Sequence, residues 1–153
     1  MEPQIIFSIS VLSLLFVIYL AISAKIVKKT YLTKVHLPGI FFDQIKEGSN
    51  NKFILPVNKE YDSLLGCDII IVCKRDHIKE KVIKRVICVE YYPNIHEYII
   101  SCGLNNLMPK HKTIEECEEY YSNIKYKDEF ILSDINISAN GGISVISVIT
   151  LSE

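Results

Sequence analysis

Tryptophan is absent, glycine and proline number only six and five, and no two cysteines are spaced Cys-x-x-Cys. That composition fits neither a low-complexity disordered chain nor a collagen-like one. The five cysteines (Cys67, Cys73, Cys88, Cys102 and Cys117) are odd in number, which does not suit a secreted disulfide framework. No charge of one sign prevails, since 17 basic and 18 acidic residues leave a net of −1. From Thr30 onward 14 basic residues face 17 acidic ones, a net of −3. This argues against a strongly basic nucleic-acid domain and leaves room only for a local patch. There is no internal repeat. No Walker lysine follows Asn140-Gly141-Gly142, which reads as a turn and not as a phosphate loop.

What the sequence has in excess is one apolar run. Its 153 residues make about one domain, 49% hydrophobic and 23% charged, with a mean hydropathy of +0.22. The excess lies in Ile5 to Ala24, twenty residues without a charge. At about 1.5 Å per helical residue this length matches a hydrocarbon core of about 30 Å, so the run predicts a transmembrane helix. Its many β-branched residues weaken a helix in water, but in lipid the backbone must bond to itself. A cleaved signal peptide is the competing reading, with Ala21-x-Ser23 as its cleavage site. Such a peptide has basic residues ahead of a shorter apolar core, whereas here only Glu2 precedes the run. Lys25, Lys28, Lys29 and Lys34 crowd the far flank, which places the bulk of the protein on the cytosolic side of a single-pass anchor. The chain thus divides into residues 1–29, an anchor with its basic flank, and residues 30–153, one folded domain.

The domain reads as strands interrupted by short helices. Ile40 to Glu47 is amphipathic and stops at Gly48. Phe53 to Val57 is a strand that Pro56 confines to an edge. Cys67 to Cys73 and Lys81 to Tyr92 predict a hairpin around Asp76-His77, with Val82, Val86, Cys88 and Glu90 on one face of the second strand. Asn94 caps a helix over Ile95 to Ser101, closed by Gly103. Thr113 and Glu116 form a capping box for a helix carrying Ile114, Cys117, Tyr120, Tyr121 and Ile124. Phe130 to Ile137 and Ile143 to Leu151 flank Asn140-Gly141, the pattern of a final hairpin. The sum is an α+β domain, most simply a small curled sheet or barrel with inserted helices.

Several stretches, in this order, resemble the ASCH family. They are Phe41-Phe42-Asp43-Gln44-Ile45-Lys46-Glu47-Gly48, Leu65-Gly66-Cys67-Asp68-Ile69-Ile70, Tyr91-Tyr92-Pro93-Asn94-Ile95-His96-Glu97, Gly103-Leu104-Asn105-Asn106-Leu107-Met108-Pro109, and Thr113-Ile114-Glu115-Glu116 leading to Tyr120-Tyr121. The resemblance spans about Val35 to Tyr121 and the strand near Ile143 to Leu151. It implies a PUA-like small β-barrel with helices around a cleft, and RNA or nucleosides as the ligand class. Some relatives are amidohydrolases acting on acetylcytidine with a Lys and a Thr after the opening helix's glycine. Here Asn50 stands at the position of the Lys and Phe53 at that of the Thr, with Asn51 and Lys52 between. An amide cannot serve as a general base and a phenyl ring has no nucleophile. Asn50, Asn51, Lys52 and Phe53 are therefore candidates for a ligand cleft without catalysis.

Other chemistry is sparse. His96, Cys102, His111 and Cys117 lack the spacing of a zinc site, and buried packing accounts for the cysteines, so no metal or cofactor is expected. Lys74, Arg75, Lys79, Lys81, Lys84 and Arg85 form the one basic cluster, offset by Asp76 and Glu80. On a hairpin it would meet phosphates, with Tyr91 or Tyr92 for stacking, or simply keep an edge solvated. Two functions are expected: a membrane-anchored, inactive ASCH-like module that binds RNA or a nucleotide-like ligand, or an anchored protein-interaction module. The orientation has a direct check. Protease added to the cytosolic face of intact membranes should digest the domain, and the sequon Asn136-Ile137-Ser138 should carry no glycan; a shielded, glycosylated domain would reverse the topology.

Overall fold

A computed structural model describes residues 32–107 and 110–151. The anchor expected at Ile5 to Ala24 and its basic flank lie outside the described residues. Among those described, no helix is long and apolar enough to cross a membrane.

Within the described residues seven strands and four helices follow one another: β1 (Thr33–His36), α1 (Gly39–Glu47), β2 (Lys52–Pro56), β3 (Asp68–Arg75), β4 (Ile78–Tyr92), α2 (Ile95–Cys102), α3 (Ile114–Ser122), β5 (Lys125–Tyr126), β6 (Glu129–Phe130), α4 (Asp134–Asn140) and β7 (Ile143–Ile149). Short 3₁₀ turns occupy Lys59–Leu64 and Leu104–Asn106. Local chemistry accounts for most boundaries. Asn94 and Thr113 accept bonds from the backbone N–H of Glu97 and Glu116, capping α2 and α3. Gly48, in the left-handed region at φ 76°, ends α1.

Five strands form one sheet in the order β1-β3-β4-β7-β2, with β5 and β6 as a separate ribbon. β1 runs parallel to β3, and the other pairings are antiparallel. β2 lies at the edge, as Pro56 requires. Both edges of the sheet, β1 and Leu55 of β2, line one cavity of about 410 Å³ with the Lys59–Leu64 turn. The sheet is thus curled into a half-barrel.

Two expectations need correction. The segment from Phe130 to Ile137 is not a strand paired with β7: only Glu129–Phe130 is extended, and α4 follows. Ser133 accepts the backbone N–H of Asn136, opening the helix. At its end Gly141 N–H donates to Ser138 O (3.2 Å) and Gly142 N–H to Ile137 O (2.9 Å), so Asn140-Gly141-Gly142 is a helix stop and not a hairpin turn. β7 pairs instead with β4 and β2. The second correction concerns β4, which carries a bulge between Val86 and Cys88. The extra residue, Ile87, puts Val89 on the face of Val82 and Val86 and turns Cys88 and Glu90 to the other.

Pairing registers define the two faces of the sheet. On one, Phe53, Ile146, Val148, Val86 and Ile71 meet the buried Phe41, Phe42 and Ile45 of α1. On the other, Ile54, Val145 and Ile143 are buried, with α2 contacting β4 and α4 contacting β2. Phe53, fully buried between the sheet and α1, is the largest side chain of β2. Phe53→Ala should cost about 3–5 kcal/mol, whereas Ile135→Ala, at a side chain 81% exposed on α4, should stay within about 0.5 kcal/mol. Urea unfolding of both variants checks the contrast.

Candidate functional site

The stretch after Gly48 is built for structure. Asn50 donates through Nδ2 to Gln44 Oε1 (3.1 Å), and its Oδ1 accepts the N–H of Lys52 (3.0 Å). The carbonyl of Asn51 accepts Val148 N–H (2.8 Å), tying the loop to β7. Asn50 and Asn51 line a cavity of about 210 Å³ with Ile45, Lys84 and Val148. Lys52 starts β2 opposite Ser147, and Phe53 lies in the core. Of the four candidate cleft residues, two reach a small cavity and the fourth faces away from solvent entirely. Positions 50 and 53 thus hold neither a titratable amine nor a hydroxyl.

The basic hairpin is sorted by the sheet onto two faces. Lys74, Lys79, Lys81 and Arg85 alternate on the outer one, whereas Arg75 and Lys84 lie on the inner. Arg75 pairs with Asp43 and donates to Gly39 O (3.2 Å), and Lys84 donates to Thr150 (2.7 Å). Arg85 forms a two-pronged pair with Asp68, at 2.7 and 3.3 Å, which holds the Asp68 carboxyl below its usual range. Lys34 joins the outer face through its register with Ile70, which sequence reading alone did not reveal. Neither tyrosine expected to stack on bases is free beside these lysines. Tyr91 turns to the inner face, its hydroxyl donating to Asp62 (2.6 Å), and Tyr92 packs edge-on against Tyr98.

That second contact starts a run of aromatic rings. Tyr92, Tyr98, Tyr121, Tyr120 and His111 follow one another at centroid distances of 5.2, 6.2, 5.3 and 4.9 Å, mostly edge to face. The run leads from the end of β4 through α2 and α3 to the largely apolar wall of a cavity of about 600 Å³. Pro38, Gly39 and Ile40 form one side of that cavity, and His111, Glu119 and Tyr120 the other. Nε2 of His111 is buried and has no hydrogen-bond partner among the described residues. No side chain caps α1, whose first turn opens beside it. Gln44 links this cavity to the loop, its Nε2 donating to Tyr120 Oη (3.4 Å) while its Oε1 holds Asn50. Sequence reading considered His111 only as a metal ligand. Its neighbours in space come from α3, which starts just after it, and from α1, far earlier in the chain.

His96 Nδ1 lies 2.6 Å from Glu118 Oε1, and among the described residues no three His, Cys, Asp or Glu side chains are grouped to hold a metal.

No family model and no curated protein matches the sequence. Among solved structures, the hypothetical protein PH0355 matches with a TM-score of 0.51 at 18% identity, over 75% of this chain and 94% of that one. Protein PF0455 from Pyrococcus furiosus matches with a TM-score of 0.47 at 20% identity, over 79% of this chain and 98% of that one. The likeness to PH0355 shows a common α+β fold.

The ring cluster also fixes an alkaline limit. Burial raises the phenols of Tyr98, Tyr120 and Tyr121, and partial burial with the Asp62 bond pushes Tyr91 up to about 12. Each keeps its proton to higher pH when folded than when unfolded. Below about pH 10 these groups leave stability unchanged, and above it stability falls as the unfolded chain ionises first. The urea midpoint should fall between about pH 8 and about pH 11, and the fall should be smaller in Tyr91→Phe.

Proposed function

We propose that the chain is a membrane-tethered, non-catalytic binding module of the PUA-like, ASCH type, whose ligand is a small planar molecule of nucleoside size. The reading rests above all on the cavity beside Tyr120, where a buried imidazole nitrogen lacks a partner among the described residues. A buried polar group without a bond is costly, and a ligand that supplies the bond removes the cost. The volume, about 600 Å³, suits a drug-sized ligand. Two rings offer a surface for stacking, while His111 Nε2, Glu119 and the N–H groups opening α1 offer both donors and acceptors for the edge of a base.

What supports the non-catalytic reading is the chemistry at Asn50 and Phe53. Asn50 has both ends of its amide engaged, and Phe53 is a core residue. RNA bound along the outer sheet face is less well supported, because the tyrosine on that face, Tyr92 opposite Ile143, is packed against Tyr98 and not free beside the lysines. The tether is the role we assign to Ile5 to Ala24, with the lysines that follow facing the cytosol.

Titration with cytidine, adenosine and guanosine, followed by NMR, should give saturable shifts at His111 and Tyr120 for at least one of them. His111→Ala should weaken that binding by about tenfold or more, the loss of one buried hydrogen bond. Acetylcytidine should release no cytidine. Failure of every nucleoside to bind at millimolar concentration would overturn the ligand class, and turnover lost in Lys52→Ala would overturn the inactive reading.

A further inference from the structure

We propose that the uncovered outer face of β1, β3 and β4 lies flat on an anionic bilayer, a placement that rests on the tether just assigned. One end of this face is covered, with Ile143, Val145 and Ile54 fully or almost fully buried on the side where α2 and α4 contact the sheet. The other end is bare. Registers bring Lys34 beside Ile70 and Ile83, His36 beside Val72 and Lys81, Lys74 beside Lys79, and Arg85 beside Ile149. Ile83 and Ile149 are 48% and 43% exposed in the middle of a sheet, and lysines surround them. Lys34, Lys74, Lys79 and Lys81 have no ion-pair partner among the described residues, and the acidic Asp68 is consumed by Arg85.

Three physical arguments select lipid as the occupant. The charge is complementary, with four free ammonium groups on one plane of a domain that is otherwise net acidic. The apolar centre is aliphatic and shallow, suited to the boundary between headgroups and acyl chains, while lysine stems reach past it to the phosphates. The chain also limits where the face can go. Ala24, the last residue of the apolar run, and Thr33, the first of β1, are nine residues apart. Nine residues reach about 30 Å at most, so the strand that carries Lys34 is held close to the surface whatever the linker does. At such effective concentration, contacts too weak to recruit a free domain suffice to orient a tethered one.

The lack of tryptophan provides the test. The full-length chain is reconstituted into vesicles of phosphatidylcholine alone or with phosphatidylserine, carrying Ile83→Trp or, as a control on α4 at the covered end of the sheet, Ile135→Trp. Flotation after an alkaline wash reports the anchor alone, and a protein that fails to float overturns both the tether and this proposal. In a protein that floats, the Ile83→Trp reporter should emit at shorter wavelength in anionic vesicles. Brominated acyl chains should quench it several-fold more strongly than the Ile135→Trp control, and Lys79→Glu with Lys81→Glu should abolish the difference. Ile149→Trp, on a neighbouring strand, should behave as Ile83→Trp does if the whole face is seated. Emission that stays fully aqueous and indifferent to lipid charge at both positions would overturn the face while leaving the anchor intact. A shift that requires added RNA instead of anionic lipid would assign the patch to nucleic acid and overturn it as well.

Discussion

The fold depends on burying β7 from both sides. Residues 143–148 are all buried, including Ser144 and Ser147, which no soluble surface strand would tolerate. One side of the strand must be closed by Phe53 and α1, and the other by the helices that follow β4. The first closure sets where α1 lies, and with it Gln44, Asn50 and the loop after Gly48. The second draws α2 and α3 together through their tyrosines, so that Tyr120 arrives beside Gln44. A cavity between α1 and α3 is the geometric remainder of those two packings. Its position follows from a strand that touches none of its walls.

Two kinds of surface then coexist without competing. The cavity is lined by Tyr120, by His111, whose Nε2 has no partner among the described residues, and by helix ends, which suits a small molecule. The outer sheet face has lysines and isoleucines without concavity, which suits a flat partner. The remaining basic residues of the hairpin are spent on internal order: Arg75 lies over Gly39, whose missing side chain makes room for the guanidinium, and Arg85 is engaged by Asp68. A positive cluster read along the chain therefore overstates the free charge, and the sheet decides which lysines remain available.

Much of the fold was legible because its signals are local. The caps at Asn94 and Thr113, the stop at Gly48, the edge placement of Pro56 and the hairpin around Asp76-His77 each depend on residues within a few positions of one another. Where sequence reading went astray, the deciding interaction lies far off. Asn140-Gly141 serves a hairpin or a helix end equally well, and Ser133, seven residues upstream of Asn140, tips the balance. β1 went unread since Thr33–His36 is short and mostly polar; its pairing with β3, about 36 residues away, makes it a strand. The candidate cleft was legible as a substitution of chemistry at Asn50 and Phe53. His111 was not legible as a ligand group, because the cavity it faces is closed by Pro38, Gly39 and Ile40, far earlier in the chain.

The bulge in β4 has a consequence for how the protein tolerates change in length. Ile87 is one residue more than the ladder between Arg85 and Val89 can use, since Val86 and Cys88 face consecutive residues of β7. β4 therefore holds a single residue of slack in the middle of its fifteen. Deleting one codon there would straighten the strand yet leave Val82, Val86 and Val89 on their present face. Adding one would offer no such refuge, because a second unpaired residue must either loop out or turn every later side chain over. Shortening and lengthening of this strand are thus unequal events.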